Sequence, residues 1–386
     1  MLAVQRWAEE RAYRGYDPAD GLTTPLRHLT CGNLFVERLL QQFVWKFPVN
    51  IRPLIGIKPL ESTKGRGFMA WGYILHHKTT GDVEAKSKAL QCLRWLQGHT
   101  SHKYREASWG NHFDFSTRSG RIPAYESTIV WSSLIGQAFM EAYEQTGQSD
   151  LLDTAASICR WILQLPREKS NQGSCLSYVA YAQSSIHNSN LLGAGLLART
   201  GKHAGNAEFL DVAREAARYS CARQLPDGGW WYGESAKHHW NDNFHTGYNL
   251  DSLKFYSDYS GDNSFRPHIE AGFKYFIETF FESNGRPRYY HDKTYPIDIQ
   301  CCSQAIDTLA NFSEQFPQSL PLARKVADWT IQNMQAADGH FYYRRLPMIV
   351  IRTPYFHWGQ GTMFKALTHL LLKLSEAERG TDGQAQ

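Results

Sequence analysis

The 386-residue sequence has no long uninterrupted apolar run. No stretch approaches the ~18 uncharged apolar residues that a membrane-spanning helix needs. The start of the chain, MLAVQRWAEERAYRGYDPAD, has charges where a secretory leader needs an apolar core. The sequence therefore predicts neither a membrane span nor an export signal.

Cysteine pairs and the common catalytic motifs are also lacking. The seven cysteines are scattered without a CxxC pair, and the adjacent Cys301 and Cys302 do not have zinc-ligand spacing. HExxH, GxGxxG, GxxxxGK[ST] and GxSxG do not occur. We therefore expect free thiols in a reducing, cytoplasmic compartment, no bound metal and no cofactor.

Charge of one sign is scarce. The net charge is only +4, and no dense run of lysines and arginines occurs. This argues against nucleic acid as a partner, although a local basic surface could still attract an acidic substrate. Aromatic residues are plentiful, with 12 Trp, 20 Tyr and 20 Phe. They can fill a large core and can also form the flat faces on which sugars stack.

A helical-hairpin pattern recurs along the chain. Four copies cover residues 125–164, 181–224, 243–280 and 295–335. The break between the two helices of each copy is at Thr146-Gly147, Thr200-Gly201, Ser260-Gly261 and Phe316-Pro317, respectively. Residues 68–97 form a fifth copy, which is broken at Thr80-Gly81. An early helix at about residues 31–47 and a last one at about 358–374 lack partners and could pair. Twelve helices in six hairpins predict an all-α (α/α)6 toroid, and an open helical solenoid is the alternative.

We expect one toroid domain over residues 1–386, with an irregular segment at 1–30 and a disordered tail at 377–386. The connections between hairpins are long and aromatic, and several begin Asp-Gly or Asn-Gly, as short β-ribbons do. In a ring, all of these connections emerge on one rim. Long loops on one face of a rigid scaffold usually carry the functional site, although some of them could simply plug the ring.

The densest polar stretch leads into the predicted helix after residue 242. His245, Tyr248, Asn249 and Ser252 are spaced i, i+3, i+4 and i+7, so they share one helix face. A polar face is expected where a helix borders a wet central funnel. The alternative is that Asp242 caps the helix and His245 is a hydrogen-bonded core residue.

Other predicted helix starts are also polar and would converge on the same funnel. The candidate substrate-binding residues are His187, Asn188, Asn249, Trp231, Arg288, Tyr290, His291, Tyr295, His357 and Gln360. Arginine is suited to a sugar carboxylate because its guanidinium matches that group in shape and charge.

Three short segments carry a resemblance to a known family. Trp240–Leu250, Tyr289–Asp292 and Tyr295–Ile299 resemble VpsJ-type bacterial polysaccharide-biosynthesis proteins. More widely, the hairpin pattern is similar to six-hairpin toroids such as uronyl epimerases, sugar 2-epimerases, polysaccharide lyases and unsaturated-glucuronyl hydrolases. The resemblance implies an oligo- or polysaccharide substrate but does not fix the reaction.

Three functions remain open from the sequence. The leading hypothesis is epimerisation or β-elimination at C5 of a uronic-acid residue, with His245 and Tyr248 as base and acid. The second is an inverting glycoside hydrolase that uses Asp242 and Asp298, which should then be roughly 6.5–9.5 Å apart. The third is a non-catalytic glycan-binding protein with Trp230 and Trp231 as platforms.

Overall fold

The computed structural model describes residues 1–117 and 120–382. The α-helices of these residues are α1 (Leu2–Glu10), α2 (Leu34–Lys46), α3 (Thr63–Thr80), α4 (Val83–Gln97), α5 (Ile129–Thr146), α6 (Ser149–Leu163), α7 (His187–Ala204), α8 (Ala207–Cys221), α9 (Asn243–Ser260), α10 (Arg266–Phe280), α11 (Ile299–Asn311), α12 (Ser319–Met334) and α13 (Gly361–Asp382). A π-helical turn, Phe356–Gln360, leads into α13.

Six of these helices form a closed inner ring. In order they are α3, α5, α7, α9, α11 and α13; each packs against the next, and α13 packs back against α3. The helices α4, α6, α8, α10, α12 and α1 lie outside them. The predicted (α/α)6 toroid is therefore confirmed.

The two layers differ in their burial pattern. The inner helix α5 is buried at every position from Ile129 to Ala142, because neighbours surround it. The outer helix α6 buries Leu151, Ala155, Ile158 and Ile162, which form a single stripe at helical spacing. An outer helix therefore gains its stability from one apolar face, whereas an inner helix packs on all sides.

Glycine ends four inner helices and turns the chain outward. Gly81, Gly147, Gly205 and Gly261 follow α3, α5, α7 and α9 with φ between 62° and 76°, a conformation that disfavours other residues. The predicted break at Thr200-Gly201 is wrong. Gly201 lies within α7, where a Cβ would come 3.1 Å from Cβ of Phe209 on α8, so glycine permits close helix packing there.

The predicted ring closure pairs the wrong helices. The partner of α13 is α1, which contributes Val4, Trp7 and Ala8 to the core, and not the helix at residues 31–47. Residues 1–30 are therefore not wholly irregular, since they include α1. Of the predicted tail, residues 377–382 continue α13, and residues 383–386 lie outside the described residues.

Short antiparallel ribbons decorate the ring. Their strands are β1 (Arg14–Gly15) with β2 (Leu60–Glu61), β3 (Phe115–Thr117) with β4 (Gly120–Ile122), β5 (Arg167–Ser170) with β6 (Gly173–Leu176), and a sheet of β7 (Ile297–Asp298), β8 (Arg344–Arg345) and β9 (Val350–Ile351). All lie in connections that lead to inner-helix starts, on what we call the long-loop rim. The opposite end, where each inner helix turns into an outer one, is the short-turn rim. Within the described residues, no helix has the length and apolarity to cross a membrane.

Candidate functional site

His245 and Asp242 form a hydrogen-bonded pair at the start of α9. Asp242 caps the helix, since its Oδ1 accepts from the backbone N–H of His245 at 3.0 Å. Its Oδ2 accepts from Nδ1 of His245 at 2.7 Å and from Nε1 of Trp240 at 3.1 Å. The buried carboxylate holds the proton of the imidazole on Nδ1 and leaves Nε2 for a ligand.

A cavity of about 380 Å³ lies beside His245 on the long-loop rim, and we call it the rim cavity. Its lining includes Phe115, Ile122, Tyr178, Tyr181, Ile186, Tyr232, Trp240 and His245. Tyr232 stacks on Trp240 with ring centroids 4.5 Å apart, and its ring lies 4.6 Å from that of His245. His238 also lines the cavity, which therefore combines aromatic walls with two imidazoles, and the imidazole of His245 is the one held by Asp242.

Tyr232 is one of three tyrosines in the lining of the rim cavity, with Tyr178 and Tyr181. Burial raises the pKa of its hydroxyl well above the ordinary value, and the neighbouring Tyr178 and Asp242 add to the shift. The phenol is therefore protonated at neutral pH, and its raised pKa makes it a weaker acid than an ordinary tyrosine.

A narrow recess adjoins His245 on its inner side. Asn188, Trp231 and Asn249 line it together with Asp242. The Oδ1 atoms of Asn188 and Asn249 are buried and have no hydrogen-bond partner among the described residues. Buried acceptors are normally satisfied. The recess is too narrow to admit a water molecule, so these two amides lie in a closed part of the rim.

Asp298 has the same capping position at the start of α11. Its Oδ1 accepts from the backbone N–H of Gln300 and from Nε1 of Trp358, both at 2.9 Å. Its Oδ2 accepts from Nε and Nη2 of Arg344 at 2.9 and 2.6 Å. Asp298 and Asp242 are both fully buried and hydrogen-bonded as caps. For Asp242 this is the alternative that the sequence left open.

Two further predicted histidines, His187 and His357, are held by partners. His187 places Nε2 2.7 Å from Glu234 and Nδ1 3.1 Å from the hydroxyl of Ser220. His357 places Nδ1 2.8 Å from Asp17. Burial acts to raise the pKa of Asp17, but His357 and a backbone N–H outweigh it, so that pKa lies below its ordinary value. Both imidazoles therefore connect separate segments of the rim.

Tyr248 and Gln360 do not line the rim cavity. The hydroxyl of Tyr248 accepts from Nε2 of Gln300 at 2.8 Å and faces a second cavity on the ring axis. Gln360 accepts from the backbone N–H of Phe341 at 2.7 Å and donates to its carbonyl at 2.8 Å. Gln360 thus fixes the backbone that precedes α13.

The predicted residues of the loop before α11 lie on the same rim but outside the lining of the rim cavity. Their contacts are Arg288 with Glu282 at 3.7 Å, Tyr290 with the ring of Tyr289 at 4.5 Å, His291 with the carbonyl of Asn241 at 3.4 Å, and Tyr295 with Arg286 at 5.7 Å. Of the predicted residues, the structure thus brings together Asp242, His245, Asn188, Asn249 and Trp231.

The second cavity, of about 180 Å³, is lined by all six inner helices and we call it the axial cavity. Its lining comes from the middle and the C-terminal ends of those helices, so it lies toward the short-turn rim. Arg199 is bound there by Glu141 at 2.8 Å, by Glu144 at 2.5 Å and by Gln137 at 2.9 Å. Its buried charges are therefore strongly paired.

Two aspartates of the axial cavity have opposite pKa shifts. Burial and the charge of Asp307 raise the pKa of Asp251 to about 7. Burial also acts on Asp307, but Lys365 and His369 bind this carboxylate and lower its pKa to about 2. Asp251 instead accepts neutral hydrogen bonds from Gln304, Thr308 and Asn311.

No three His, Cys, Asp or Glu side chains in the described part of the chain are arranged to hold a metal ion. All seven cysteines are unpaired, and six of them are buried. The thiols of Cys301 and Cys302 have raised pKa values because of burial and, for both, the charge of Asp298.

Neither a family model nor a curated protein matches the chain. Solved structures with the same fold include a cellobiose 2-epimerase from Bacillus thermoamylovorans B4167, with a TM-score of 0.63, 11% identity, and coverage of 82% of this chain and 88% of that one. A GH76 α-mannanase from Bacteroides thetaiotaomicron has a TM-score of 0.62 and 11% identity, with coverage of 83% of this chain and 87% of that one. An unsaturated glucuronyl hydrolase specific for heparin has a TM-score of 0.60 and 13% identity, with coverage of 82% of this chain and 86% of that one. At these identities the similarity shows the toroid fold.

Proposed function

We propose that the chain is a carbohydrate-active enzyme whose active site is the rim cavity. The observation that carries this proposal is the hydrogen bond between the buried Asp242 and His245, whose imidazole lines an aromatic cavity on the long-loop rim. Aromatic walls suit the apolar faces of a sugar ring. The three solved structures compared above are named as enzymes that act on carbohydrates, and this supports a sugar substrate.

The reaction that this pair serves best is proton transfer at C5 of a uronic-acid residue. Nε2 of His245 takes the proton from C5, and Asp242 stabilises the imidazolium. The electron pair of the C–H bond moves into the adjacent carboxyl group and gives an enolate. Return of a proton to the other face of C5 inverts that carbon, whereas loss of the oxygen substituent at C4 leaves a C4–C5 double bond.

Tyr232 is the proton donor in this proposal. Its phenol is protonated and lies in the same cavity as His245, whereas Tyr248, the acid expected from the sequence, faces the axial cavity. The oligo- or polysaccharide substrate, the uronic acid within it, the biosynthetic role implied by the VpsJ-type resemblance and the cytoplasmic location all remain predictions.

The glycoside-hydrolase alternative has less support. Both carboxylate oxygens of Asp242 and of Asp298 accept hydrogen bonds from a helix N-terminus or from side-chain donors. Neither aspartate therefore offers a free carboxyl group to the rim cavity. A non-catalytic glycan-binding role would use the same aromatic walls without needing the His245–Asp242 pair.

Products in deuterated water distinguish these reactions. The protein is incubated with uronate-containing polysaccharides, and C5 deuterium, unsaturated chromophore and reducing ends are measured. Deuterium at C5 identifies the epimerase, and the chromophore identifies the lyase. Reducing ends without either product contradict proton chemistry at C5, and unchanged substrate over the whole panel contradicts the uronate assignment.

Two matched variants then identify the acid. Tyr232→Phe should lower turnover by a factor on the order of 10², and Tyr248→Phe should leave it within a few-fold of the parent protein. The reverse result would assign the proton donor to Tyr248.

A further inference from the structure

The helix α2 buries two polar side chains, Glu37 and Gln41, together with Val44, and exposes several of its large apolar side chains. Glu37 is buried and forms ion pairs with Arg27 at 3.2 Å and Arg121 at 2.7 Å. Gln41 is also buried; it donates to the carbonyl of Ser116 at 3.0 Å and accepts from its N–H at 2.8 Å. These contacts fix the orientation of α2 on the long-loop rim, and it is the reverse of an ordinary surface helix.

The outward face of α2 is a row of large apolar side chains. Phe35, Leu39 and Phe43 follow one another at one-turn spacing and are 69%, 53% and 54% exposed. Leu29, before the helix, and Leu54, after it, protrude further, with 78% and 87% exposure. Exposed apolar side chains clustered on one segment mark an interaction surface.

The same segment is net basic. Residues 24–60 contain five basic residues, Arg27, Arg38, Lys46, Arg52 and Lys58, and one acidic residue, Glu37. Their difference, +4, equals the net charge of the whole chain. Arg27 and Arg52 are paired within the fold. Arg38 and Lys46, on α2, and Lys58, after it, form no ion pair within the described residues and supply the uncompensated charge of this segment.

A second apolar tip occurs on the same rim. Met348, in the turn between β8 and β9, is 95% exposed. Basic residues flank this turn at Arg345 and Arg352. The combination of a protruding apolar side chain with cations beside it thus occurs twice on the long-loop rim.

We propose that this face of α2 docks on the surface of an anionic lipid bilayer. Phe35, Leu39 and Phe43 would enter the boundary between headgroups and acyl chains, and Arg38 and Lys46 would contact anionic headgroups. A two-fold contact with a second copy would place the same patch against itself and bring its cations together. The uniform charge of the patch therefore favours an anionic partner over self-association.

Docking through α2 would also position the rim cavity. Gln41 and Glu37 hold β3 and β4, and these strands supply part of the cavity wall. The cavity would then be held beside the bilayer. This proposal does not depend on the reaction that the site performs.

Co-sedimentation with vesicles tests the proposal. The full chain is mixed with vesicles of phosphatidylcholine alone and of phosphatidylcholine with phosphatidylglycerol. We expect binding to the anionic vesicles, weakening as salt is added. The triple variant F35S/L39S/F43S should bind at least about tenfold more weakly, because each side chain gives up buried apolar area. The matched control V83S/I331S/L371S changes three exposed apolar residues elsewhere and should bind like the parent protein.

A charge series separates the two contributions. Neutralising Arg38, Lys46 or Lys58 with Gln should weaken binding to anionic vesicles by about fivefold for each residue. Thermal melting should show all variants folded, because the altered side chains are at the surface. The proposal fails if the parent protein binds neither vesicle, binds both equally, or binds as well after the α2 substitutions. A dimer in sedimentation equilibrium that the α2 substitutions abolish, without vesicle binding, would identify a second copy as the occupant.

Discussion

The rim cavity and the axial cavity each contain a histidine on a buried aspartate, yet they differ in what remains available to a ligand. His245 lies 2.7 Å from Asp242, and His369 lies 2.8 Å from Asp307. Asp307 also binds Lys365, so the axial pair belongs to a compensated charge network. His245 keeps Nε2 at an open aromatic cavity. A polar stripe on an inner helix therefore indicates a site only where some of its polar atoms are left unused.

The largest expected effect is on catalysis at the rim. His245→Ala should lower turnover by a factor on the order of 10² to 10⁴, because it removes the general base, and should change the melting temperature little. The matched change His369→Ala, in the axial cavity, should leave turnover per folded molecule within a few-fold. Equal losses of turnover in the two variants would contradict the assignment of the active site to the rim cavity.

The next effect is on stability at the axis. Arg199→Met leaves Glu141 and Glu144 buried without their main partner, so the free energy of unfolding should fall by about 3–5 kcal/mol. Urea unfolding measures this change, and Arg266→Met, which removes an exposed pair with Glu270, should cost less than about 1 kcal/mol. A similar small loss in both variants would mean that the axial network does not stabilise the ring.

The smallest effect is a pH dependence of stability. The pKa of Asp251 is raised to about 7 in the folded chain. Protonated Asp251 therefore adds to the free energy of unfolding in full below the ordinary pKa of an aspartate, and this contribution is lost as the pH rises through about 7. The slope in that window is at most about 1.4 kcal/mol per pH unit. Asp251→Asn should flatten it relative to the parent protein, and the exposed Asp258→Asn should not. Urea unfolding between pH 5 and pH 8 measures the slopes, and parallel curves would contradict the raised pKa.

The ring could be predicted because its hairpins repeat in the sequence. The inner helices α3, α5 and α9 end at Thr or Ser followed by Gly, and the spacing of these breaks indicates the repeat. The twelfth helix could not be assigned, because α1 is short and charged whereas α2 is apolar. Apolar residues normally predict burial, and α2 reverses that rule.

The predicted residues that come together lie on α7, on α9 or at the start of α9, except Trp231, which belongs to a long loop. Asp242, His245 and Asn188 occupy the first turns or caps of α7 and α9, where local sequence determines position. Tyr232 and the cavity walls belong to long loops, whose positions depend on how the ring packs. Tyr248 was grouped with His245 because they are one turn apart, but the rise of about 4.5 Å over three residues is enough to place them in different cavities.

The seam of the ring joins the first and the last helices of the described chain. The inner ring closes where α13 packs against α3, and α1 is the outer partner of α13, the one inner and outer pair of the described helices that no short turn links. During synthesis, α1 leaves the ribosome more than three hundred residues before α13. The apolar side chains of Val4, Trp7 and Ala8 therefore have no α13 to pack against until that helix has been made. Closure of the toroid is therefore a late, long-range event, and the nascent chain is an open arc until α13 arrives.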